Sequence, residues 1–111
     1  MDSAGNYSTI YSFTGGSEGS VPEGFLTVDA QGNIYGTTDG GGYVGGFLCD
    51  FGCGTIFKID TTGAFFTLHA FTGSDGVGMF AGVVLGPDGT LYGTSPWGGA
   101  NDWGTVFALK P

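Results

Sequence analysis

The chain carries one passage twice, and this duplication constrains its fold more than any other feature. Residues 2–15, DSAGNYSTIYSFTG, align without a gap on 60–73, DTTGAFFTLHAFTG. After one deletion, 18–38 align on 75–95, and GTIFKI at 54–59 matches GTVFAL at 104–109. The period is about 50–58 residues. Between the last two blocks the first copy carries about seven extra residues, which include both cysteines.

Each period holds four strand-like runs, here lettered a to d. In the first, Phe25-Leu26-Thr27-Val28 turns through Asp29-Ala30-Gln31-Gly32 into Asn33-Ile34-Tyr35-Gly36-Thr37. A long loop leads to Gly54-Thr55-Ile56-Phe57-Lys58-Ile59, and Asp60-Thr61-Thr62-Gly63 turns the chain into Phe65-Phe66-Thr67-Leu68-His69-Ala70-Phe71. Gly in these turns accepts a positive φ cheaply, and Asp or Asn can hydrogen-bond the local backbone. The 25 glycines follow no collagen-like period, so they read as turn residues. With 41% hydrophobic and only 11% charged residues, disorder is a poor reading. No segment sustains a 3.6-residue period, so no helix is expected.

The expected fold is all-β: two four-stranded antiparallel propeller-type blades in one domain over 1–111. Repeat 1 covers about 2–59 and repeat 2 about 60–110. Residues 24–71 supply a complete a-b-c-d sheet, whereas 81–109 supply only a, b and c. The missing d strand is at the other end, in Tyr7-Ser8-Thr9-Ile10-Tyr11-Ser12-Phe13. Tyr7, Ile10, Tyr11 and Phe13 are therefore read as an assembly strand. It would complete the last blade in cis or in a neighbouring chain.

The motif set is Asp75-Gly76, Ala81-Gly82, Gly89-Thr90-Leu91-Tyr92-Gly93-Thr94, Gly98-Gly99 and Gly104-Thr105-Val106-Phe107. It resembles the GloVer-type repeats of bacterial "choice-of-anchor" tandem-repeat proteins over nearly the whole chain. The Gly-Asn-Ile-Tyr run also resembles propeller repeats of the NHL type. The resemblance implies propeller-like blades in a secreted or surface-exposed bacterial protein, and it brings no catalytic signature.

A propeller blade packs both faces against neighbours, and closed propellers have typically about four to eight blades. Two blades alone leave outer faces wet, with residues such as Phe57 and Ile59 or their opposites exposed. At roughly 25 cal/mol per Å², a few hundred Å² of bare apolar surface forfeits several kcal/mol. Self-association is therefore expected, as a ring or, if rotation does not close, a filament. The functional expectation is a non-enzymatic, extracellular, self-assembling structural module.

The formal charge of −8, with Lys58 and Lys110 as the only Lys or Arg residues, argues against nucleic-acid and anionic-lipid partners. No apolar stretch approaches the roughly 20 residues of a membrane helix. Cys49 and Cys53, in Cys-Asp-Phe-Gly-Cys, suit a local disulfide better than a redox or zinc site.

Duplicated aromatic positions (Tyr35 and Tyr92, Phe13 and Phe71, Phe57 and Phe107) read as core. His69, whose counterpart is Tyr11, reads as a strand residue lacking a nucleophile partner. The long d–a and b–c loops gather acids and aromatics at one end. Asp39, Tyr43, Asp75, Trp97, Asp102 and Trp103 are the candidate ligand-binding residues there, suited to stacking on sugar rings and bonding their hydroxyls. A carbohydrate-binding module is thus the alternative function. No cofactor is expected, although Glu18-Gly19 and Asp75-Gly76 could contribute oxygens to calcium.

Overall fold

A computed structural model describes residues 7–16, 19–42, 52–78, 81–101 and 103–111. Among these there is no helix. The strands are β1 (Thr27–Val28), β2 (Ile34–Thr38), β3 (Thr55–Ile59), β4 (Phe65–Ala70), β5 (Val83–Leu85), β6 (Leu91–Ser95) and β7 (Thr105–Leu109). They form two antiparallel meanders, β1-β2-β3-β4 (sheet I) and β5-β6-β7 (sheet II). The expected a-b-c-d order of 24–71 is thus observed, as is the a-b-c order of the second copy.

The register is duplicated as well. Gly36 pairs with Phe57 in sheet I, and Gly93 pairs with Phe107 in sheet II. The aromatic ring lies across its glycine: a Cβ on Gly36 would sit 2.6 Å from the Phe57 ring, and one on Gly93 would sit 2.5 Å from Phe107. This close approach explains why Tyr-Gly-Thr and Gly-Thr-(Ile/Val)-Phe recur together.

Because side chains alternate along a strand, each sheet has two distinct faces. The front of sheet I carries Leu26, Ile34, Phe57 and Ile59, and the back carries Tyr35, Ile56 and Lys58. In sheet II the front carries Val83, Leu85, Leu91, Phe107 and Leu109, and the back carries Val84, Tyr92, Val106 and Ala108. The core lies between the back of I and the front of II, where Tyr35, Ile56, Phe71, Val83 and Leu91 are buried against one another. The sheets meet at their first strands, where the Phe25 N–H donates to the Ala81 carbonyl at 2.8 Å.

Residues 7–13 depart from the expectation of a strand. They are in no strand here, and sheet II has three strands among the described residues. The segment crosses the front of sheet I instead. Tyr11 stacks on Phe65 at 4.3 Å between centroids, and Phe13 meets Phe57 edge-on at 5.2 Å. Phe57 and Ile59 are consequently buried, not wet. The expectation that both outer flanks stay bare is corrected for this one: the chain covers the front of sheet I itself. Tyr92 is also corrected, because it is 44% exposed while its twin Tyr35 is core at 4%.

The β1–β2 turn is closed by one carboxylate. Asp29 accepts hydrogen bonds from the Gln31 and Asn33 amides, the Asn33 side chain and the Tyr35 hydroxyl, all at 2.9–3.0 Å. The Asn33 side chain, above all, and the other donors together outweigh burial and hold its pKa below the ordinary aspartate value, at about 2. A depressed folded-state pKa stabilises above the unfolded value and is lost as pH falls through the folded one. Asp29→Asn should therefore be less stable than wild type at about pH 6, with the difference much smaller near pH 2 and closing only below the folded value. Urea midpoints at the two pH values check this.

Candidate functional site

The structure brings the loops of both repeats to one end of the molecule. The d–a loop of repeat 2 wedges against the b–c loop of repeat 1: the Gly78 N–H donates to the Cys53 carbonyl at 2.8 Å, and Gly78 packs on the Asp39 backbone. Equivalent bridges, Ser20 with Gly40 and Val77 with Trp97, tie d–a to b–c within each repeat. The glycine pairs Gly41-Gly42 and Gly98-Gly99 turn with φ of 74–85° in both. A Cβ on Gly41 would collide with the Gly19 backbone, so this corner admits only glycine.

Of the candidate ligand residues, Trp97 is 52% exposed and Trp103 is 85% exposed. Tyr43 and Asp102 lie outside the described residues. Asp39 sits beside Glu23, and the hydrogen bond and negative charge from Asp39 push the Glu23 carboxyl above its ordinary value. Asp75 is occupied. One of its oxygens accepts from the Thr72 amide at 2.9 Å, and the other lies 2.7 Å from His69 Nε2. Burial raises its pKa, but the Thr72 amide, the His69 hydrogen bond and the His69 charge outweigh burial and leave it lowered.

Asp75 thus serves its own loop, which disfavours it as a calcium ligand. Glu18, the other calcium candidate, is outside the described residues. Among the described residues no three His, Cys, Asp or Glu side chains converge on a common point. The contact between His69 and Asp75 escaped the sequence reading, although a strand residue and an acid six positions on, across a tight loop, could have suggested it. Cys53 is wholly buried and its thiol is not free. Cys49, its expected disulfide partner, lies outside the described residues.

The larger candidate site is a sheet face. Ile56 and Val106 hold the same position in their repeats, yet Ile56 is 1% exposed and Val106 is 82% exposed. Val84 and Tyr92 share that bare back face of sheet II. The front of sheet I, at the opposite end of the stack, has an apolar cleft of about 310 Å³ beside residues 7–13. Ile10, Phe13, Leu26, Ile34, Phe57 and Ile59 line it.

These features define an all-β protein of two repeats that stack front to back through equivalent positions. Over residues 1–111 the chain matches the family model described as the Gloeobacter/Verrucomicrobia repeat, and it belongs to that family. No curated protein and no solved structure matched it.

Proposed function

We propose that this chain is a non-enzymatic, extracellular structural module whose copies stack head to tail as propeller-type blades, into a ring or a filament. The carrying observation is the contrast between Ile56 and Val106. The position that sheet I buries under sheet II is left open on sheet II, with apolar side chains in place. The cleft on the front of sheet I exposes Leu26 beside Ile34 and the Phe13-covered ring of Phe57, the counterparts of Val83, Leu91 and Phe107, which cover Ile56 inside the chain. Front and back are therefore complementary within one molecule, and a heterologous contact of this kind propagates until it closes. Burying a few hundred Å² of apolar surface at roughly 25 cal/mol per Å² yields several kcal/mol toward association.

A charge of −8 per chain opposes assembly at low ionic strength, and salt screens it. Light scattering at micromolar concentration should give a multiple of the 11.3 kDa chain mass, rising or holding as salt is added. A single-chain mass at every salt concentration would refute the proposal.

The exposure of Trp97 and Trp103 supports a second reading, binding of glycans at the loop end. Sugar titration should then quench indole fluorescence, and Trp103→Ala should remove most of the binding. No quenching by any sugar class tested would dismiss this reading.

A further inference from the structure

We propose that residues 7–13 add as a fourth strand to the outer edge of β7 in a second copy, and never to β7 of their own chain. The inference rests on the head-to-tail reading above and specifies which segment seals each junction. Within the chain, β4 is the outer strand of sheet I, and Phe71 just beyond it meets Phe107 of the following sheet at 5.3 Å and 61°. Residues 7–13 repeat this arrangement one step earlier. Phe13, the counterpart of Phe71, meets Phe57, the counterpart of Phe107, at 5.2 Å and 69°. The neighbouring ring follows suit: Tyr11 lies edge-on to Phe13 at 5.1 Å and 80°, and His69 lies edge-on to Phe71 at 4.8 Å and 83°.

The segment thus stands where the outer strand of a preceding sheet would stand, in front of sheet I. The remaining strands of that preceding sheet are absent from the described residues. Its own β7 cannot supply them, because sheet II lies behind sheet I and the body of sheet I separates the two. A second copy can. When the back of its sheet II covers the front of this sheet I, its β7, the last strand of its sheet, comes alongside residues 7–13. Tyr7 and Ile10 are exposed in the single chain, whereas their counterparts Phe65 and Leu68 are partly buried in sheet I.

The β3–β4 pairing fixes the register. Lys58 faces Phe66, Ile56 faces His69, and the ladder shifts between Ile56 and Phe57. Carried to the junction, Ala108 of one copy faces Ser8 of the next and Val106 faces Tyr11, with Ile10 taking the bulge that Leu68 takes in β4.

Directly opposed residues in an antiparallel pair lie about 4.5–5.5 Å apart at Cα, within disulfide reach. Ser8→Cys and Ala108→Cys change two exposed positions. The two single variants, mixed and mildly oxidised, should give a two-chain species on a non-reducing gel, with the link between positions 8 and 108 located by peptide mass. The off-register mixture of Ser12→Cys with Ala108→Cys should give at least ten-fold less. The double variant Ser8→Cys/Ala108→Cys should give a ladder of linked chains. If light scattering shows assemblies but the matched pair links no better than the off-register pair, strand addition is wrong and stacking survives. A link closed within one diluted double-variant chain would also overturn the inference. Single chains under all conditions would defeat the stacking reading itself, and this inference with it.

Discussion

Val106→Asp should leave the chain folded while raising the dissociation constant of its assemblies about 100-fold or more. In the single chain this side chain is 82% exposed, so a carboxylate there stays hydrated and costs the fold little. In the stack it would occupy the environment that Ile56 has within the chain, buried and lined by Leu and Phe. An unpaired charge in such surroundings costs several kcal/mol, and each 1.4 kcal/mol is about ten-fold in affinity. Ile56→Asp is the internal comparison. It places the same charge at the same repeat position, but inside the core, and should unfold the chain outright. Circular dichroism and light scattering on the two variants separate the effects. Assemblies of undiminished affinity in Val106→Asp would mean that the back of sheet II is not the contact surface.

The pair Ile56 and Val106 also marks the boundary of what the sequence could reveal. Strand positions and hairpins were legible because Gly32, Gly63 and Gly89 punctuate alternating runs, and each has a positive φ in the structure. The unequal strand count was legible from the offset of the duplication. Exposure was not, because both copies have the same apolar pattern and only stacking order distinguishes Tyr35 from Tyr92. The fate of 7–13 was likewise hidden. A strand forms by pairing, whereas these residues pack on the aromatic rings of Phe57 and Phe65. On the loop rim, Trp97 and Trp103 lie between β6 and β7, where the glycine-rich sequence puts a loop. The engagement of Asp75 with Thr72 and His69 depends on how a four-residue loop closes, which no spacing rule conveys.

Phe71→Ala should be among the most destabilising single truncations in the protein, at about 3–5 kcal/mol. The ring is 1% exposed at the point where the chain leaves β4 and passes from sheet I toward sheet II. It touches Phe107 of the next sheet and His69 of its own, and it lies over Gly76, where even a Cβ would come within 3.0 Å. A cavity of about 220 Å³ already borders it, lined also by Ile56, His69, Asp75, Phe107 and Leu109. Removing the ring enlarges that space at the junction of the two sheets, whose first strands are already joined through the Phe25–Gly82 bridge. Domains of this size are stable by about 5–15 kcal/mol, so the loss should lower the urea midpoint by about 2 M at a slope near 2 kcal/mol per M. Assembly would add concentration-dependent stability, so the measurement belongs in the Val106→Asp background. Phe13→Ala is the matched control, with the same ring geometry on a half-exposed segment. It should cost the single chain far less and show its main effect on association. Equal losses from both truncations in the single chain would mean that residues 7–13 are part of this chain's own core, with no role reserved for a neighbour.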